Sequence, residues 1–155
     1  MELRHDLRSV AENFQIPADF QSAEPYGTGH INDTYAATYS QGGRAIRYIH
    51  QRINRNIFKN PAALMENIER VTNHLRVKLA EQPDMSRRTL TLVPARDGRT
   101  FHIDSQGEYW RTYIFIEEAR TYDAVESTKQ AFEAARAFGR FQGLLAGVVA
   151  IVVGP

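Results

Sequence analysis

The chain has 155 residues, enough for one domain with a sizeable core and too few for a second full one. Nineteen basic and eighteen acidic residues leave a net charge of +1, and no long block carries one sign, so the sequence does not read as nucleic-acid binding and favours small, near-neutral partners. It has no cysteine, which excludes disulfides, thiolate catalysis and zinc–thiolate sites and fits a reducing compartment.

Residues 1–8 carry charges where a signal peptide needs an apolar stretch, so the reading is cytoplasmic. Leu3, Leu7, Val10 and Phe14 fall at helical spacing and Pro17 closes that segment, which predicts an opening amphipathic helix. Residues 25–40 read as strand, glycine turn and strand, and Tyr35, Ala37 and Tyr39 alternate in the second strand. Gln41-Gly42-Gly43 is a hairpin turn, and a third strand over 44–53 sets Ile49 and Ile53 on the same side as Gln51. Asn60 and Pro61 are a cap and a first helical residue, and the helix they open is expected to pack through Leu64, Ile68, Val71, Leu75 and Leu79. Short strands follow over 89–93 and 100–104, turning at Asp97-Gly98 and Gln106-Gly107, and the longest aromatic-rich strand is expected over 109–116. From Ser127 to Leu145 the spacing is helical again. The fold class is therefore α+β, an antiparallel sheet of five or six strands with one large packed helix and helices at both ends.

The apolar stretch 144–153 has ten residues, about half of what a membrane span needs, so no membrane association is expected. It reads as a buried strand or helix end, or as an interface segment. His5, His30, His50, His74 and His102 contain no pair at i, i+4, so no metal site is expected. Glu117 and Glu118 are adjacent and face opposite ways in a strand, which makes them a solvated connector and not a carboxylate pair. No serine triad is readable.

The stretch Tyr26-Gly27-Thr28-Gly29-His30-Ile31-Asn32-Asp33-Thr34-Tyr35 can expose backbone N–H groups to an anion such as a phosphate, although two glycines in a hairpin also serve as a plain tight turn. Three further words follow it in order: Tyr48-Ile49-His50-Gln51-Arg52-Ile53-Asn54, then Phe58-Lys59-Asn60-Pro61 with Leu64-Met65-Glu66-Asn67-Ile68, then Tyr109-Trp110-Arg111. Together they resemble the aminoglycoside-phosphotransferase-like family, and within it the N-acetylhexosamine 1-kinase branch. The likeness extends over most of residues 22–143 and implies a protein-kinase-like small lobe over 1–118, with 119–155 as the exit from the hinge and the start of the large-lobe helices.

The resemblance implies ATP-dependent phosphorylation of a small hydroxyl substrate, the anomeric hydroxyl of an N-acetylated amino sugar, with Mg2+. Gly27, Thr28, Gly29 and Asn32 match the turn that covers the phosphates; asparagine there stands where protein kinases place a third glycine, and it tolerates positive φ. Gln51 falls where kinases place the phosphate-pairing lysine and brings no charge. Arg52 faces the other way in a regular strand and could serve only if the strand bulges. Glu66 matches the helix carboxylate that partners the strand cation, yet by helical angle it lies nearly opposite the apolar stripe, with Glu69 nearer the edge. Phe115, Ile116 and Glu117 match the hinge that offers backbone groups to adenine. The family's catalytic aspartate loop and metal-binding aspartate belong to the large lobe, so no catalytic residue and no Mg2+ ligand is assigned to this chain. It is expected to be a truncated lobe, inactive alone and prone to self-association through its inter-lobe surface. The alternative is a non-catalytic binding or regulatory module with the same fold.

Overall fold

The β2–β3 hairpin is the strongest local element. β2 (Asp33–Gln41) and β3 (Arg44–Ile53) pair without interruption from Asp33↔Arg52 to Gln41↔Arg44. Gly42 and Gly43 both hold positive φ, 56° and 80°, as the tight two-residue turn between twisted strands requires. The computed structural model describes residues 5–119, 122 and 124–148. Within them the sheet is antiparallel and six-stranded, in the order β1-β2-β3-β6-β4, with β5 also paired to β6. Its remaining strands are β1 (Asp19–Pro25), β4 (Leu92–Val93), β5 (His102–Ile103) and β6 (Tyr109–Ile114).

Helix α1 (Leu7–Glu12) starts at Asp6, whose carboxylate accepts from the Ser9 amide at 3.1 Å. Leu7 and Val10, with Phe14 just beyond the helix, pack on Tyr35, Val93 and Trp110 to form the main core on one face of the sheet. Each such side chain taken fully out of water contributes about 1.5–3 kcal/mol. The expected helix also included Leu3, which lies outside the described residues, and it ends at Glu12, well before Pro17.

Helix α2 (Pro61–Lys78) is inserted between β3 and β4, and the Asn60 side chain caps it by accepting from the Ala63 amide at 3.1 Å. Its buried residues are Pro61, Met65, Thr72 and Leu75, so the helix is turned from the predicted stripe: Leu64, Ile68 and Val71 sit at the edge of the contact. Thr72 can be buried because its hydroxyl donates to the Ile68 carbonyl at 2.8 Å. After α3 (Met85–Arg88), helix α4 (Thr128–Leu144) starts at Ser127, whose hydroxyl accepts from the Gln130 amide. No residue of α4 is buried, and Phe132 and Phe138 are each 63% exposed. Its end is held to α2, where His74 and Lys78 contact the Leu144 carbonyl at 2.9 and 3.0 Å.

Three expectations are corrected. The first strand lies before Pro25, not after it, because a register shift between Phe20 and Ser22 breaks the alternation that marks a strand. The strands expected over 89–93 and 100–104 shrink to two residues each. The aromatic-rich strand expected over 109–116 ends two residues early, at Ile114, which leaves β6 with six residues. The interface reading of 144–153 concerns residues of which 149–153 lie outside those described.

Candidate functional site

Register decides which polar side chains meet. On the face away from α1, Thr34, Gln51 and Arg111 stand opposite one another on β2, β3 and β6. The Gln51 amide nitrogen donates to the Thr34 hydroxyl at 2.7 Å, while its oxygen accepts from Arg111 Nε at 2.9 Å and Nη2 at 2.5 Å. The reverse amide orientation would set an NH2 group against a guanidinium, so the arginine determines how the glutamine lies. Arg111 Nη1 lies 3.9 Å from Met65 Sδ, and among the described residues no carboxylate pairs with this arginine. Burial lowers its pKa from the usual arginine value.

The next row on this face is apolar, with Ala36, Ile49 and Tyr113 aligned and Phe115 packed against them. Burial raises the Tyr113 hydroxyl above its usual pKa. Beyond it, the Arg47 guanidinium lies 3.8 Å above the Phe115 ring and forms a two-point ion pair with Glu117, which holds that carboxyl below its ordinary range. Tyr26, at the start of the glycine turn, meets the Phe115 ring edge-on with centroids 5.2 Å apart. The face therefore runs from a polar row by the glycine turn, across an apolar floor, to the segment after β6.

The glycine turn is closed by the Tyr26 amide donating to the Thr34 carbonyl at 2.9 Å. Gly27 has φ +83°, which only glycine adopts readily, and residues 27–31, including Thr28 and Gly29, are exposed. Gly29 is not in the left-handed region, and a Cβ on it would meet nothing within 4 Å. Asn32 also lacks positive φ, so its place is explained otherwise: its side-chain oxygen accepts from the Asn54 amide at 2.9 Å and ties the turn to the end of β3. At the other end of the face, the Phe115 amide donates to the Arg47 carbonyl at 3.2 Å and the Glu117 carbonyl accepts from Arg87 at 2.6 Å. Among the described residues the half-buried Ile116 makes no backbone hydrogen bond.

Arg52 and Glu66 are not part of this arrangement. β3 carries no bulge, so Arg52 projects to the α1 face, where it binds Asp33 at 2.7 Å and Glu108 at 3.0 Å. Burial tends to raise the Asp33 pKa, but the hydrogen bonds from Arg52 and His5 outweigh it and the net shift is downward. Glu66 is on the outside of α2, pairs with Arg70 one turn along at 2.6 Å, and meets neither Gln51 nor Arg111. The helix contributes Met65 to Arg111 instead, so the expected carboxylate–cation pair is not formed.

The α1 face also holds a buried chain in which the Tyr39 hydroxyl contacts His50 Nε2 at 2.6 Å and His50 Nδ1 contacts the Thr112 hydroxyl at 2.7 Å. All three side chains are essentially inaccessible, and burial pushes His50 down to about 4 and Tyr39 upward. An apolar cleft of about 360 Å³ lies elsewhere, where Ile68, Val71 and Leu75 of α2 face Leu90 and Phe141.

Sequence reasoning passed over Thr34, Arg47 and Arg111 as individual site residues. The available signal was the alternation Tyr109, Arg111, Tyr113 against Trp110, Thr112, which becomes informative only once β6 is registered on β3. No protein-family model matches the chain. Among the described residues no group of three His, Asp or Glu is placed to hold a metal, and no helix is long and apolar enough to cross a membrane.

Proposed function

We propose that this chain is the ATP-binding lobe of a small-molecule kinase of the aminoglycoside-phosphotransferase-like kind, nearest the N-acetylhexosamine 1-kinase branch. One observation carries the reading: the glycine turn, Gln51 and the 115–117 segment, all named from the sequence, converge on one face of one sheet. The strand order β1-β2-β3-β6-β4, with α2 inserted between β3 and β4, supports a kinase-like small lobe.

In this reading the adenine edge meets the backbone at Ile116 beside the Ala36–Ile49 floor, and the triphosphate lies under the exposed turn toward Gln51. Phosphoryl transfer is mostly positioning and charge neutralisation, and a lobe that holds the triphosphate supplies part of both. Mg2+ would neutralise phosphate charge, but among the described residues this face brings no carboxylate to Gln51: Asp33 is bound on the opposite side and Glu66 is bound to Arg70. The metal ligands, the catalytic aspartate and the sugar contacts are therefore assigned to a large lobe outside these residues, and the chain alone binds nucleotide without turning over.

The test is calorimetric titration of ATP with Mg2+ into the wild-type chain and into Gly29→Val. The backbone at Gly29 accepts a side chain in the free protein, so the variant should keep its melting temperature and lose ATP affinity about tenfold or more. Equal affinities would contradict the assignment of the turn. The exposed Phe132 and Phe138 support self-association through α4, so sedimentation velocity should show a concentration-dependent dimer. A persistent dimer with no nucleotide affinity would favour the non-catalytic binding module.

A further inference from the structure

We propose that Arg111, from β6, is the phosphate-binding cation of this lobe and takes over the charge that Gln51 does not supply. The inference rests on the nucleotide-binding reading above and names a residue which that reading left without a role.

Gln51 can hydrogen-bond a phosphate but cannot neutralise one. Its neighbour across the β3–β6 ladder is Arg111, on the same face and linked to it through Nε and Nη2. A guanidinium has five N–H groups, and Gln51 Oε1 engages two of them. A third meets only the weak acceptor Met65 Sδ at 3.9 Å. The others have no oxygen partner among the described residues. Arg52, one residue from Gln51, shows the contrast: it is held by two carboxylates on the other face. A partly buried cation with unused donors and no counter-ion is unfavourable in the free protein, and an anion arriving at that face relieves the imbalance. The row lies close to the turn in the chain, because Thr34 is the second residue of β2, just after the glycine turn, and Gln51 bridges it to Arg111. An anion under the turn thus meets a neutral amide first and a guanidinium behind it. The α2 residue at this arginine is Met65, while Glu66, the helix carboxylate implied by the resemblance, is paired with Arg70, so α2 brings the arginine no competing carboxylate.

The experiment titrates ATP, adenosine and tripolyphosphate into wild type, Arg111→Met and Arg111→Lys, with melting curves as folding controls. Arg111→Met should weaken ATP and tripolyphosphate about ten- to a hundredfold and leave adenosine within twofold, while Arg111→Lys restores part of the loss. Should Arg111→Met fail to fold, the Arg111 Nε–H resonance of the wild-type chain gives the same answer: it should shift with tripolyphosphate and stay still with adenosine. If ATP binds and Arg111→Met keeps the ATP-to-adenosine ratio, or the resonance does not move, the assignment of Arg111 is overturned and the nucleotide reading survives. If neither ATP nor adenosine binds the wild-type chain, both fail together.

Discussion

The two faces of the sheet differ in how they hold their most buried polar side chains. Under α1, His50 is satisfied on both ring nitrogens by Tyr39 and Thr112, and Arg52 is held between Asp33 and Glu108. On the other face, Arg111 is drawn out of water with an amide and a thioether for company, and the glycine turn beside it is open to solvent. A network that closes on itself contributes stability and specifies one packing, whereas a charge with unused donors is a place for something else to bind. The comparison teaches where to look for function: where the balance of charge and hydrogen bonds does not close, and not where titratable groups are most numerous.

The largest difference between the faces should appear in acid. His50 has a folded pKa of about 4 against an ordinary 6.5, because burial disfavours its charged form. The unfolded chain takes up a proton as the pH falls through 6.5, while the folded protein does not until about 4. His50 therefore contributes stability that is fully present above pH 6.5 and lost as the pH falls from 6.5 to 4, about 3 kcal/mol. Urea unfolding at a series of pH values should show this slope in the wild type and a much flatter one in His50→Gln. Equal slopes would mean that the Tyr39–His50–Thr112 chain does not hold the imidazole neutral.

A smaller effect separates the two arginines. Arg52→Met takes from Asp33 and Glu108 the cation they share, leaving His5 on the first and Arg55 on the second, and should cost about 1–3 kcal/mol. Arg111→Met removes a desolvated charge that has no counter-ion, and should leave the unfolding midpoint unchanged or raised. If both substitutions destabilise equally, Arg111 is a structural group and the contrast between the faces disappears. The smallest effect is in the turn. Gly27→Ala puts a side chain at φ +83° and should cost about 1–2 kcal/mol, whereas Gly29→Ala should stay within about 0.5 kcal/mol. Thermal melts of the two variants compare them directly, and equal melting temperatures would contradict the turn geometry.

Much of the scaffold was legible because its signals are local. The period-two pattern of Tyr35, Ala37 and Tyr39, the Gly42-Gly43 turn and the Asn60-Pro61 start each determine their own neighbourhood, and each is found where expected. β1 was misplaced because its bulge removes the alternation by which a strand is recognised. The rotation of α2 was hidden because the Thr72 hydroxyl bonds back to its own helix and can be buried, while Ile68 and Val71 line a cleft instead. The partnership of Gln51 with Arg111 joins residues 60 apart in sequence and depends on the register of β6 on β3, which no local pattern contains. Arg52 was decided by the same register, since an unbroken β3 assigns it to the α1 face.

Nucleotide binding on the Gln51 face is tested most directly by an amide and side-chain NMR titration of the wild-type chain with ATP. Thr34, Gln51, Arg111 and Ile116 should move, while His50, Arg52 and the Trp110 indole on the α1 face stay in place. Shifts concentrated on the α1 face, or none on either face at millimolar ATP, would contradict it.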